Sequence, residues 1–516
     1  MGSNQSTPAP AAPASMSEKF TFKSTTRPQS ASDLLASLSL SSPPTAGVKI
    51  DQIAAFQSAF EADPKSKLAA TVLHKGDFLA ALTNRKTQIQ DQQVFNIKLS
   101  SEGNPVTNQK SSGRCWLFAT TNVIRIAMAR KYNLEGFELS QSYLFFYDSL
   151  SKANFLLESM LSLVDEDLDS RVVNFLLESP ENDGGQWDMA VNLVETFGLV
   201  PQSVFPESFN SSNTSKLDGL LTTKLREFTL ELREITSNAM RALEDLEGKS
   251  EVEKKEIAIQ SARKRKVEQM EEIYRILAIT LGTPPKPDEP FTWEYYSSSS
   301  PDSTLAKDKK YHSVTMTPLD FYKKMGCVDV SKAISLINDP RNKYDQLYSV
   351  EHLGNVWGGR PVLYVNTEVQ KLKDVAIALL KADTPVWFGC DVGKSSSSAM
   401  GIMDTKLYDL EGAFSTKLGM TKAQRLATGD SAMTHAMTLT AVHLDESGKS
   451  VRWRVENSWG EAACDKGYML MSDEWFSEHV FQIVADRRMV PANLVKIFET
   501  GTATMLKPWD PMGSLA

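Results

Sequence analysis

Cysteine is scarce in this chain, which has only four in 516 residues: Cys115, Cys327, Cys390 and Cys464. None of them stands in the CxxC spacing that is typical of zinc ligands, and so few thiols cannot form a disulfide scaffold. Widely separated thiols are typical of a protein from a reducing, intracellular compartment. The cysteine content therefore predicts neither a structural zinc site nor a secreted, disulfide-stabilised fold.

Long hydrophobic runs and positive charge are also in short supply. No uninterrupted apolar stretch reaches the roughly 18 residues of a membrane-spanning helix, and the first residues do not resemble a secretory signal peptide. The chain has 56 Lys and Arg residues against 64 Asp and Glu residues, a net charge of −8. Such a chain is not expected to carry a general nucleic-acid-binding surface. With 41% hydrophobic residues, it has the composition of a large folded protein of roughly two to four domains.

The first 47 residues differ from the rest because they are rich in Ser, Thr, Pro and Ala. This composition cannot bury enough apolar surface to offset the entropy of ordering, so we expect a disordered tail. The chain begins MGSNQS, which fits the short pattern for N-myristoylation of Gly2, although an ordinary flexible terminus is the simpler interpretation. A membrane partner is expected only if Gly2 is acylated.

Residues 206–290 have the apolar spacing of long helices. The first stripe recurs every three to four residues: Leu221, Leu225, Phe228, Leu232 and Ile235. A second stripe ends before Gly282, which predicts a helix end there. The basic run at 263–266 lies between the two predicted helices, and we interpret it as a solvated face rather than a patch for an anionic partner. Residues 294–311 are polar and predict a surface loop.

The last third of the chain has the spacing of strands. The segments THAMTLTAVHLD and VRWRVENSW are rich in Val, Thr and Trp, and the polar ESGKS between them predicts a hairpin. Helices first and strands later indicate an α+β fold.

Cys115 is the candidate nucleophile, since it stands where a Gly- and Ser-rich loop becomes a long apolar helix. A thiol at a helix N-terminus meets unpaired backbone N–H groups and the positive end of the helix dipole, and both favour the thiolate. A lone cysteine is more often a small buried hydrophobe, so its position alone does not identify a nucleophile.

A cysteine nucleophile needs a base, and the base needs an orienting partner. His435 precedes the first strand of the predicted hairpin and Asn457 lies in the second, so the two can become neighbours. The Asn457 carbonyl can accept the imidazole N–H, which leaves the other ring nitrogen for sulfur. Gln109 precedes Cys115 by six residues. Its amide N–H and the Cys115 backbone N–H could hold an oxyanion.

These residues lie in segments that resemble the papain-like cysteine peptidases. NQKSSGRCWLFA is similar to the nucleophile signature of that family, THA to its histidine segment and NSWG to its asparagine segment. The resemblance is closer to the bleomycin hydrolase branch, and it runs in order from about residue 50 to the end through SQSYLFFYD, NDGGQWDMAVNLVETFGLVPQSVFPES, WFGCDVGK and PWDPMG. One departure is Thr434, where papain-type enzymes commonly have Asp.

The resemblance implies a papain-like, two-lobed α+β fold. Cys115 would head the central helix of the left lobe, and His435 and Asn457 would come from the β-rich right lobe. The implied segments are the tail at 1–47, the left lobe at 48–205, a mainly helical insertion at 206–330, the right lobe at 331–490 and a C-terminal arm at 491–516.

The resemblance also implies a cleft wall and an arm that lies in the cleft. Gly184 and Gly185 are similar to the wall that an extended substrate backbone approaches, whereas the residues alone favour a turn before a helix near Gln186. The terminal PWDPMGSLA is apolar and stiffened by proline, so we expect it to be docked. In this branch the arm lies in the cleft, and the carboxylate of Ala516 would face the substrate's α-amino group.

The function implied by the resemblance is a cytoplasmic cysteine aminopeptidase that acts on peptides and requires no metal or organic cofactor. The branch forms hexameric rings, so a homohexamer is expected. Two alternatives stay open: a papain-like endopeptidase, and a nucleic-acid-binding or chaperone-like ring with secondary peptidase activity. The apolar arm argues against the first alternative, and the net negative charge argues against the second.

Overall fold

The computed structural model describes residues 47–298 and 309–515, so most of the predicted tail, the Gly2 acylation signal and Ala516 lie outside the described residues. The helices in chain order are α1 Ile50–Ala62, α2 Pro64–Leu73, α3 Phe78–Ala81, α4 Arg85–Gln90, α5 Cys115–Tyr132, α6 Gln141–Ser162, α7 Arg171–Glu178, α8 Trp187–Phe197, α9 Ser215–Ala242, α10 Glu251–Leu281, α11 Pro318–Met325, α12 Val369–Lys381, α13 Leu410–Phe414, α14 Lys422–Thr428, α15 Asp473–His479 and α16 Ala492–Thr500.

The strands are β1 Ile97–Lys98, β2 Phe291–Ser298, β3 Lys309–Met316, β4 Ala333–Ile337, β5 Gln346–Val350, β6 Tyr364–Asn366, β7 Val386–Cys390, β8 Ser396–Ser397, β9 Ile402–Met403, β10 His435–Leu444, β11 Ser450–Glu456, β12 Tyr468–Ser472, β13 Val480–Asp486 and β14 Thr504–Leu506. This mixture of helices and strands confirms the α+β class. Among the described residues, no helix has the length and apolar character to cross a bilayer.

The chain forms two compact units. The smaller unit contains the described residues up to Thr83 together with Tyr408–Arg425. Its helices α1, α2, α3 and α13 are short, and none of them has a buried residue. Its packing is slight, as in the edge-on contact of the Phe78 and Phe414 rings at 6.1 Å.

The larger unit, Asn84–Leu407 with the described residues from Leu426 onward, contains every candidate site residue that the structure describes. Its main sheet has the strand order β14-β5-β6-β4-β13-β7-β10-β11-β12-β9-β8, with β1 paired to β10. Strands β10 and β11 are antiparallel neighbours, with Thr438 opposite Glu456, and β10 also pairs with β7. The hairpin predicted from the sequence is therefore present, and His435 begins its first strand.

This unit has two apolar cores. One core is built largely from α5, α6, α8, α9 and α10, and the other from the central strands with α12 and α15. Helix α5 is buried almost all round, as the continuous apolar run after Cys115 predicts. The helix ends at Tyr132 because Asn133 adopts the left-handed conformation that often terminates helices.

A buried ion pair joins the central helix to the sheet. Arg125 of α5 lies 2.9 Å from Glu456 at the end of β11, and both side chains are at most 1% exposed. The second carboxylate oxygen of Glu456 accepts the Gly103 N–H at 3.1 Å. Asn457 follows Glu456 directly. The ion pair therefore fixes the position of Asn457 relative to α5.

Two predictions in the insertion region are wrong in detail. The basic run at 263–266 lies inside α10, not between two helices, because the helix starts at Glu251 and continues to Leu281. Residues 294–298 and 309–311 are not loop but belong to the antiparallel pair β2–β3. Alternating polar residues allow a strand with one exposed face, so their polarity alone could not identify a loop.

Candidate active site

Cys115 is the first residue of α5 and is 2% exposed. Its Sγ atom accepts the backbone N–H of Ala436 at 3.5 Å. Ala436 follows His435 at the start of β10, so the strand brings the histidine to the N-terminus of the helix. Both side chains line a single cavity of about 530 Å³.

His435 and Asn457 form the second contact of the site. The imidazole Nε2 lies 2.9 Å from Asn457 Oδ1, which leaves Nδ1 as the nitrogen available to sulfur. Asn457 is fully buried, and its Oδ1 also accepts the Ser458 N–H at 2.7 Å. The Trp459 ring covers the imidazole with a centroid distance of 5.2 Å. The amide therefore fixes both the tautomer and the direction of the ring.

Gln109 is placed beside Cys115 by the segment that contains Asn457. The Gln109 N–H donates to Ser458 O at 2.8 Å, and the Ser458 hydroxyl donates to Gln109 Oε1 at 2.6 Å. Gln109 Nε2 donates one proton to Ser112 O at 2.6 Å. Because an amide nitrogen carries two protons, one stays available for an oxyanion at the cavity, which Gln109 also lines.

Burial sets the proton chemistry of the cysteine and the histidine. It raises the pKa of Cys115 to about 12, against the lowering effect of the Ala436 and Trp116 N–H groups. It lowers the pKa of His435 to about 4, against the bond to Asn457. The helix N-terminus predicts a lowered thiol pKa, so in this cleft desolvation outweighs the dipole.

The two shifts together favour a pair with no net charge. Burial disfavours the state with an extra proton, thiol with imidazolium, and the state that lacks one, thiolate with neutral imidazole. Two overall neutral arrangements remain, thiol with imidazole and thiolate with imidazolium, and they differ only in where one proton resides. A nucleophilic sulfur can therefore form by internal proton transfer over a wide pH range.

Gly184 and Gly185 lie on the wall of the same cleft. Gly184 lines the cavity. A Cβ atom on Gly185 would come within 2.5 Å of the Trp116 ring, which explains why glycine stands there. The helix predicted near Gln186 begins at Trp187, with Gln186 as its N-cap residue. Both interpretations of the glycine pair are compatible with this geometry, since the wall leads directly into the helix.

The C-terminal arm enters the cleft. Gly513 and Leu515 line the cavity that contains Cys115 and His435. Gln186 Nε2 donates to Ser514 O at 2.6 Å, and the Ser514 hydroxyl donates to Met433 O at 2.8 Å. The predicted contact of the Ala516 carboxylate concerns a residue outside the described part of the chain.

Sequence reasoning did not identify several residues that shape this site. Lys152 and Trp116 hold the cleft wall, while Trp459 covers the histidine. Trp116 and Trp459 adjoin the motif residues Cys115 and Ser458, and that adjacency was the available signal. Lys152 gave no signal, since a lysine within a helix is ordinarily a surface residue. In the described ranges, no three His, Cys, Asp or Glu side chains are arranged to hold a metal ion.

Comparison with known proteins places this geometry in a family. The family model described as Peptidase C1-like family matches residues 47–513. The bleomycin hydrolase of Homo sapiens is 42% identical over 487 residues, which cover 92% of this chain and 99% of that protein. Cysteine proteinase 1, mitochondrial, of Saccharomyces cerevisiae is 40% identical over 479 residues, 92% of this chain and 94% of that protein.

A solved structure is similar as well. PepW from Lactobacillus rhamnosis superposes with a TM-score of 0.81 at 39% sequence identity, covering 91% of this chain and all of that one. The papain-like α+β fold expected from the sequence is thereby confirmed.

The pH dependence of the site follows from the neutral pair. We expect the acid limb of kcat/KM for an aminoacyl reporter amide to fall near pH 4, because the pKa of His435 is lowered to about 4 and the neutral pair is lost only below it. Asn457→Ala removes a bond that raises this pKa, so its acid limb should move to lower pH while kcat falls about 10- to 100-fold. An acid limb near the ordinary imidazole pKa of about 6.5 would contradict the assignment.

Proposed function

We propose that the cleft of this protein acts as a cysteine aminopeptidase on peptides. The chain belongs to the Peptidase C1-like family and, within it, to the bleomycin hydrolase group, and this membership is the basis of the proposal. The observation that carries the proposal is the docked C-terminal arm beside Cys115. The arm occupies part of the cleft and blocks the path of a polypeptide that continues in that direction. A bound substrate must therefore have a chain end next to the arm. The resemblance to bleomycin hydrolases implies that this end is a free N-terminus.

The arm leaves the sheet as an edge strand. Strand β14 pairs in parallel with β5, with Leu506 opposite Val350, and the Glu351 N–H donates to Leu506 O at 2.9 Å. Lys507 then forms an ion pair with Glu351 at 3.0 Å. These contacts fix the direction in which the last residues leave the sheet for the cleft.

A second set of contacts holds the middle of the arm. Arg341 Nη2 lies 2.7 Å from Asp510 Oδ1 and 2.7 Å from Asp339 Oδ2, and all three side chains are at most 8% exposed. Trp509 stacks under the Arg171 guanidinium at 3.9 Å, and the Tyr364 hydroxyl donates to Met512 O at 3.2 Å. The arm is therefore a packed element, and its removal would leave a buried arginine with one carboxylate fewer.

The reaction uses side chains of this site and one water. Sγ of Cys115 attacks the first peptide carbonyl while its proton resides on His435, and a carbon–sulfur bond forms as the carbonyl becomes an oxyanion. The Cys115 N–H and the free amide proton of Gln109 stabilise that oxyanion. His435 gives the proton to the leaving amine as the carbon–nitrogen bond breaks. Water, deprotonated by neutral His435, then hydrolyses the thioester and restores the thiol.

The nucleophile assignment is tested by substitution. We expect Cys115→Ala to lower kcat for an aminoacyl reporter amide by at least about 1,000-fold, because no other group of the site can form the thioester. The exposed Cys327 is the matched control, and Cys327→Ser should keep ordinary turnover. Near-normal turnover of Cys115→Ala would exclude the proposed mechanism.

The arm is tested by the balance between two activities. We expect removal of residues 507–516 to raise cleavage of an N-acetylated, internally quenched peptide at least about tenfold, because the docked arm no longer excludes a continuing chain. Asp510→Asn should act in the same direction, since it weakens a buried charge contact. Asp486→Asn, which affects an ion pair with the exposed Arg488, is the control. Unchanged cleavage by the truncated enzyme would show that the arm does not gate the cleft.

A homohexamer is the proposed assembly. Its support here is the face of α1, where four large apolar side chains are between 48% and 86% exposed: Ile50, Ile53, Phe56 and Phe60. An exposed apolar face of this kind is typical of an interface. We expect native mass measurement to give six 57.2-kDa chains, and Phe56→Glu with Phe60→Glu to lower that number. A monomeric wild-type protein would exclude the hexamer.

We also propose a cytoplasmic location for this protein. A cytoplasmic location fits a site that needs Cys115 as a free thiol, and fractionation against a cytosolic marker tests it.

Nucleic-acid binding is not favoured, because Arg263, Arg265 and Lys266 form ion pairs with glutamates of the same unit. A salt-dependent titration with single-stranded DNA tests that point. Membrane association would require acylation of Gly2, which mass analysis of the native protein detects.

A further inference from the structure

The nearly buried ammonium group of Lys152 is hydrogen-bonded to the cleft wall at residues 182–185. Lys152 of α6 has a side chain only 7% exposed. Its Nζ donates to Asn182 O at 2.8 Å and to Gly184 O at 2.6 Å. It also forms an ion pair with Asp148 Oδ2 at 2.6 Å. An ammonium group has three protons, and here three oxygen acceptors surround it, two of which are backbone carbonyls of the wall.

The carbonyl between those two is held by the residue after the nucleophile. The indole N–H of Trp116 donates to Asp183 O at 2.8 Å, and Lys152 Nζ lies 5.4 Å from the centroid of the Trp116 ring. Three consecutive carbonyls, at residues 182, 183 and 184, are thus engaged by buried side chains. The wall and the start of α5 are tied together through Lys152 and Trp116.

The surroundings of Lys152 are acidic, so its charge has partners on several elements. Asp148 on α6 is fully buried and accepts Asn355 Nδ2 at 2.9 Å. Glu181 is also buried, and burial raises its pKa well above the usual value, but Asp148 is the carboxylate that contacts the ammonium directly, at 2.6 Å. The Asp183 carboxylate accepts the Thr214 hydroxyl at 2.5 Å and the Gly113 N–H. Asp148 is therefore the main counter-charge of Lys152.

The engaged carbonyls determine what the wall offers to a ligand. Within the described ranges, the N–H of Gly184 has no hydrogen-bond acceptor, and Gly184 lines the cavity beside Cys115. With the carbonyls of residues 182–184 engaged, the Gly184 N–H is a backbone donor that this part of the cavity wall can offer to a ligand. A donor of this kind suits the carbonyl oxygen of a peptide.

We propose that Lys152 is a positioning residue for the peptidase reaction, which fixes the wall at residues 182–185 so that Gly184 meets a substrate carbonyl in one orientation. This inference rests on the proposed function. It assigns to Lys152 a role in substrate placement and none in the activation of sulfur, because its contacts go to the wall and to Asp148 and not to Cys115.

The test separates substrate placement from thiol reactivity. Lys152→Met combined with Asp148→Asn removes the ammonium without leaving a buried carboxylate unpaired. Lys152→Arg keeps the charge but replaces the three-way ammonium by a planar fork. We expect kcat/KM for an aminoacyl reporter amide to fall about 10- to 100-fold in both proteins, mainly through KM. Alkylation of Cys115 by iodoacetamide, which does not use the wall, should stay within about twofold of wild type.

A second reagent and a matched lysine complete the experiment. A leucine chloromethyl ketone with a free α-amino group, which must bind before it alkylates, should react more slowly in proportion to kcat/KM. Lys254→Met is the control. Lys254 is 7% exposed and donates to Glu244 O at 2.7 Å, and it lies on α10, which contributes no residue to the cavity lining. It should leave all three readouts unchanged.

The outcomes are distinct for the two hypotheses. Unchanged kcat/KM in the double variant, or an equal fall in iodoacetamide alkylation, would overturn the role of Lys152. A wild-type protein that neither hydrolyses the reporter nor reacts with the chloromethyl ketone would instead overturn the proposed function itself.

Discussion

The buried contact between Arg125 and Glu456 is the constraint on which the site depends. It joins α5, whose first residue is Cys115, to the end of β11, after which comes Asn457. Both charges lie away from solvent, so removal of one partner would leave the other uncompensated at a cost of about 3–5 kcal/mol. Cys115 belongs to the helical core, whereas Asn457 follows a strand of the other core, and this contact joins the two elements.

Charge contacts also hold two elements of the cleft. Lys152 holds the carbonyls of the wall, and Arg341 holds the C-terminal arm through Asp510. Each cation is nearly buried and each is paired with a buried carboxylate, Asp148 or Asp339. A buried charged pair has a narrow range of acceptable geometries. The cleft is therefore rigid in the places where a substrate backbone has to be positioned.

Burial has a second consequence for the chemistry. The packed arm and wall exclude water from the site. This burial raises the pKa of Cys115 and lowers the pKa of His435. The pair as a whole has no net charge, whether the proton resides on Cys115 or on His435. The site thus keeps its nucleophile without a permanent charge in the cleft.

The sequence by itself determined the chemistry and the family: Cys115 at a helix start, His435 and Asn457 on a hairpin, Gln109 before the nucleophile, and the α+β class. These features are encoded in short motifs and in periodicity, which local residues specify. Charge and polarity were misleading for the basic run at 263–266, which lies within α10, and at the ends of the polar segment, which are strands. Only the tertiary structure decided that Lys152 holds the wall and that burial outweighs the helix dipole at Cys115. Both depend on which distant segments exclude water around a side chain, and no local pattern records that.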